Sequence, residues 1–137
     1  MKRFSLLALA SIFFSAGILH FSRDTSFAQI VPAFFPYPLQ IVWLTGIMEF
    51  IFALSLLIPN IRACTGLWLS LYCLAVLPAN INMAINDIPI FGQHVSPLLL
   101  YARIVGQFGL IAWILYASDG YTAWKQQGIK GFFRSSP

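Results

Sequence analysis

Residues 4–21, 38–58, 63–85 and 97–117 hold almost no charge, and four such windows exclude most ways in which a chain can fold. As helices rising about 1.5 Å per residue, each is about long enough to cross a ~30 Å hydrocarbon layer. A soluble helical protein needs polar faces at helical spacing, and these windows offer almost none. The chain is 59% hydrophobic and only 9% charged, far from the usual balance of a soluble domain. The expected fold class is an all-α membrane protein: one domain over residues 1–137, a four-transmembrane-helix bundle with an interfacial tail at 118–137.

The first window also resembles a secretory signal, since Lys2 and Arg3 precede an apolar run that reaches the small residues Ser15, Ala16 and Gly17. The run continues through Ile18 and Leu19 to Phe21, so retention as a first span is expected. Four spans put the amino terminus, the turn at 59–62 and the tail on one side, with Lys2, Arg3, Arg62, Lys125, Lys130 and Arg134. The opposite side carries only Arg23. That asymmetry predicts cytoplasmic termini and a multi-pass protein of the plasma membrane, the bacterial inner membrane. The lipid bilayer is then the first partner. Nucleic acid is not an expected partner, because three scattered tail cations are too few for a groove-tracking surface.

Inside these windows the polar residues are few, which makes each informative. Glu49 is the only charged residue between 38 and 58, and a carboxylate near the middle of a bilayer costs several kcal/mol unless it has a partner. Gly46 and Ala53 flank it one turn away, so this face should pack inward. Arg103 and Gln107 share a face of span four. Helical rise places Glu49 about 16 Å, Arg103 about 9 Å and Gln107 about 15 Å from the same end of the bundle. A Glu49–Arg103 pair is therefore expected, either holding helix register or built into a polar pocket. Burial of an ion pair gives little net stabilisation, which favours the pocket. Asn80 and Asn82 on span three and His20 at the end of span one complete the candidate set. Pro78 should kink span three and free a carbonyl near Leu74.

Other features carry less. His94 lies in a polar turn and should be solvated. Cys64 and Cys73, nine apart on one helix, cannot form a disulfide with each other and read as packing residues, and no Cys-x-x-Cys is present. Two histidines without a nearby cysteine do not suggest a metal site. Pro32, Pro36 and Pro38 exclude a regular helix around them, so the segment between spans one and two should be a loop or re-entrant element with Phe34, Phe35 and Tyr37 at the interface. Trp43, Trp68 and Trp113 read as interface anchors.

Taken in order, Gly17-Ile-Leu-His20-Phe21, Pro32-Ala-Phe-Phe-Pro36-Tyr-Pro38, Gly46-Ile-Met-Glu49, Leu57-Ile-Pro59, Pro78-Ala-Asn80-Ile-Asn-Met83 and Arg103-x-x-x-Gln107 resemble the DoxX and DoxX-like family. The resemblance implies a four-helix membrane bundle, related to the small subunits of a thiosulfate:quinone oxidoreductase and to proteins of redox stress or membrane assembly. It draws attention to His20, Glu49, Pro78, Asn80, Arg103 and Gln107.

Two functional expectations follow. One is a quinone- or small-molecule-linked membrane protein, such as an oxidoreductase subunit working with other membrane or redox subunits, with Glu49, Arg103, Gln107, His20, Asn80 and Asn82 around the ligand. The chain has no cofactor motif of its own, so electrons would have to come through a bound quinone or a partner. The other is a non-catalytic subunit or assembly factor for a partner membrane protein. Transport ranks last, because the inner halves of the spans are almost free of polar residues.

Overall fold

A computed structural model describes residues 2–133; Arg134 and the rest of the tail to 137 lie outside the described residues. Six helices follow one another: α1 Lys2–Ser22, α2 Asp24–Ile30, α3 Pro38–Ser55, α4 Arg62–Ile85, α5 Pro97–Ala117 and α6 Gly120–Gln127, with a 3-10 turn at Gly128–Phe132. Of these, α1, α3, α4 and α5 are long and apolar enough to cross a membrane. Proline opens both α3 and α5, where its missing N–H costs no intrahelical bond. The expected windows thus hold to within a few residues, with α3 ending at Ser55 and a tight turn leading to Arg62. The Arg62 Nε closes that turn by donating to the Leu56 carbonyl at 3.0 Å.

The segment between the first two spans is not wholly a loop. Residues 24–30 contain no proline and fold as α2, with the Asp24 carboxylate accepting from the Thr25 N–H at 2.7 Å. Pro32 then forces Val31 into extended backbone and ends the helix. The aromatics expected at an interface are exposed here, Phe34 and Tyr37 most of all.

The long helices associate as two close pairs, α1 with α3 and α4 with α5. Contacts between the pairs are sparser, and α3 and α5 stand diagonally across the bundle without packing on one another. Two apolar cores hold the pairs together. Near the turn at 56–61, Leu9, Leu56, Leu69 and Ile114 are fully buried in one cluster. At the other end Ile30 of α2 packs with Met83 and Leu100. The space between these two cores is where the polar side chains lie.

The tail folds back over the start of α4. Phe132 supplies a carbonyl that accepts from the Trp68 Nε1–H at 2.8 Å and from the Cys64 thiol, while the Phe132 ring meets Trp68 and Trp124 edge-on. Lys2 and Asp119 form an exposed ion pair beside it, which brings the start of α1 to the end of α5. Lys2, Arg62, Lys125 and Lys130 therefore sit on elements gathered at one end of the bundle.

Candidate functional site

The site begins with two glycines. Gly17 of α1 and Gly46 of α3 face each other so closely that a Cβ on Gly17 would lie 3.1 Å from the Gly46 carbonyl oxygen, and one on Gly46 would lie 2.9 Å from His20 Cβ. Close helix approach needs small residues at the crossing. One turn further along each helix stand His20 and Glu49, and the approach brings His20 Nδ1 to 2.9 Å from Glu49 Oε2. The same Nδ1 is 2.9 Å from the Ala16 carbonyl, and an N–H in the ring plane points there. Glu49 Oε2 is thus buried beside the imidazole without an aligned donor, while Oε1 accepts from the Tyr72 hydroxyl at 2.9 Å. Glu49 is 6% exposed. The His20 ring stacks on Phe27 of α2, with centroids 4.4 Å apart.

A second polar chain lies on the α4–α5 pair. Asn80 accepts from Arg103 Nη2 at 3.1 Å and donates to Gln107 Oε1 at 2.7 Å. Gln107, buried, donates in turn to the Cys73 carbonyl. Pro78 lies five residues further along; lacking an N–H, it leaves the Leu74 carbonyl, four residues before it, without its helical donor. The carbonyl that Gln107 reaches is that of Cys73, one residue before the one Pro78 is expected to free. Arg103 also approaches Met83 Sδ at 3.7 Å, and much of its guanidinium remains exposed.

Glu49 and Arg103 do not pair. Depth along the bundle puts the two residues within reach of one another, but packing order decides whether they face, and α3 and α5 are diagonal neighbours. The carboxylate meets His20 and Tyr72 on the adjacent helices first. Carboxylate and guanidinium instead stand on separate walls of one cavity of about 930 Å³, lined by Glu49, His20, Tyr72, Asn80, Arg103 and Gln107 among mostly apolar side chains. That volume falls in the range of small-molecule sites.

Five of the six expected site residues therefore share one cavity. Asn82 does not: its amide donates to the Ile30 carbonyl at 3.0 Å and so ties the end of α2 to α4. His94 pairs with Asp87 at 3.2 Å on the exposed turn between α4 and α5. Tyr72 was not among the expected residues, because a lone tyrosine in an apolar helix reads as core. Its spacing from Ala79, seven residues along and on the inward face, was the available signal.

A family model described as a domain of unknown function (DUF8561) matches residues 9–118, a stretch that contains every residue lining the cavity. No curated protein and no solved structure matches the chain.

Proposed function

The chain belongs to the DUF8561 family, and from that premise we propose that it binds a small, ring-bearing, quinone-like ligand in the cavity between its two helix pairs. The observation that carries this reading is the separation of Glu49 from Arg103 across the cavity. Two charged groups in a membrane bundle are least costly when paired. Here each meets its own set of partners on its own wall, an arrangement that suits a ligand placed between them better than it suits stability. Donors from Tyr72, Arg103 and Gln107 and the acceptor Glu49 would orient a polar ring, and the apolar walls would bury its faces. His20, at the end of the cavity covered by α2, would hold or pass a proton. Electron transfer would draw on the quinone or on a partner redox subunit.

The reading includes a topology. The gathering of Lys2, Arg62, Lys125 and Lys130 at one end supports cytoplasmic termini in a bacterial inner membrane, with His20 towards the far side. The resemblance to DoxX-like proteins leans the same way. An assembly or subunit role is the second reading, favoured by Gly109 on the exposed side of α5. Nothing lies within 4 Å of where its Cβ would be, which leaves room for a partner helix.

The test is quinone binding by the purified protein in detergent, wild type against Glu49→Gln. Saturable binding that weakens about 10-fold in the variant, with helicity intact, is the expected result. Absence of saturable binding would transfer the proposal to the assembly role.

A further inference from the structure

We propose that the ligand enters sideways from the hydrocarbon interior of the membrane, through the seam between α3 and α4. We further propose that it is an amphiphile whose apolar chain stays in that seam while its hydrogen-bonding head faces Glu49 and Tyr72. The proposal rests on the ligand-binding reading above and adds a route and a chemical class.

Both ends of the cavity are covered. At one end α2 and the turn after it close over it, with Phe27 stacked on His20, Pro32 buried and Ile30 fastened by Asn82. At the other, the fully buried Leu9, Leu56, Leu69 and Ile114 fill the bundle. Two flanks remain where the pairs meet. The one between α1 and α5 has exposed lining residues that include the charged Arg103, whereas the one between α3 and α4 is apolar and lies directly before Glu49 and Tyr72. Although consecutive and joined by a tight turn, these helices belong to different pairs and touch sparsely. Thr45, Met48 and Phe52 form one edge of the seam at spacings of three and four residues, and Trp68, Leu71 and Ala75 form the other. All six line the cavity. Leu71 is nevertheless 46% exposed, so one side chain borders the interior and the lipid-facing surface together.

The chemistry of the seam selects its occupant. The one hydroxyl on these edges, on Thr45, donates to the Val42 carbonyl at 2.8 Å, so the edges present apolar surface. The Tyr72–Glu49 bond, at 2.9 Å, ties the two walls behind them. A partner helix is about 10 Å across and cannot pass between walls so tied, whereas a methylene or isoprenoid chain is far slimmer. At about 30 Å³ for each water-sized group, 930 Å³ holds roughly 30 such groups, more than a single ring requires. A headgroup with a chain uses that space.

The experiment places the full chain in phosphatidylcholine vesicles with a long-chain alkylphenol bearing a diazirine at the chain end, then maps the photolabel by mass spectrometry. Label on the 45–52 and 68–75 peptides, displaced by the same alkylphenol without the diazirine, is the expected result. Half-maximal labelling should need about 10-fold more probe in Glu49→Gln. Leu71→Trp, at a lipid-exposed position that the fold does not depend on, should reduce the seam label with helicity unchanged. Displaceable label concentrated on 27–35, or along α1 and α5, would overturn the lateral route while leaving the pocket standing. Label that no competitor displaces, spread over all lipid-facing helices, would overturn the pocket and the route together.

Discussion

Gly17 and Gly46 set the distance between His20 and Glu49. Each glycine lies three residues before its polar partner, and each Cβ position is already occupied by the opposite helix. Gly46→Ala should therefore push α1 and α3 apart, cost about 1–3 kcal/mol by overpacking, and weaken ligand binding through the displaced imidazole. Gly106→Ala meets nothing within 4 Å and should instead stabilise by about 0.5–1 kcal/mol through helix propensity. Thermal unfolding in detergent checks both. Equal effects from the two substitutions would mean that the close approach is not what positions the site.

The carboxylate's partners can be ranked by double-mutant cycles. Tyr72→Phe and Glu49→Gln should couple by about 0.5–3 kcal/mol, because they share one buried hydrogen bond. Arg103→Met and Glu49→Gln should add to within about 0.5 kcal/mol, having no partner in common. Strong coupling between Glu49 and Arg103 with none between Glu49 and Tyr72 would contradict the separation of the two walls.

Gln107 joins α5 to α4 through two bonds. Gln107→Leu removes a donor from the Cys73 carbonyl and an acceptor from Asn80, for about 1–3 kcal/mol. Pro78→Ala restores a donor to the Leu74 carbonyl; if straightening that turn also draws the Cys73 carbonyl back into the helix, the same Gln107 substitution should cost less in that background. Identical costs in the two backgrounds would show that Cys73 owes its availability to something other than Pro78.

At the tail, Trp68→Phe keeps the ring but loses the donor to the Phe132 carbonyl, at about 0.5–1.5 kcal/mol. Limited proteolysis should then cut the 128–133 turn sooner than in the wild type. Cys64→Ser retains a donor to the same carbonyl and should leave the cleavage rate unchanged.

The sequence made the spans legible because a bilayer sets their length and forbids charge within them. Pro38 and Pro97 marked two starts outright. Approximate depth was legible too, and Glu49, Arg103, Gln107, Asn80 and His20 do line one cavity. Azimuth was not. Pairwise order in a bundle comes from packing that one sequence does not display, and so the partner of Glu49 was read as Arg103 on the diagonal helix instead of His20 and Tyr72 on the adjacent ones. Asn80 and Asn82 show where more could have been read. Two residues apart on a helix means about 200° of rotation, so only one of them could face any single cavity. The chain fold of α2 and of the tail depends on contacts with α4 that no local pattern announces.

Three side-chain hydrogen bonds tie the two halves of the bundle at different heights: Asn82 of α4 to Ile30 of α2, Tyr72 of α4 to Glu49 of α3 in the middle, and Lys2 of α1 to Asp119 just after α5. The outer two are struts remote from the cavity, but the middle one is part of its wall. A guest that competes for the Glu49 carboxylate therefore takes a strut out of the bundle's waist as it settles. Occupancy and stiffness are bound together in this molecule, and a filled protein would flex about its two ends in a way the empty one does not.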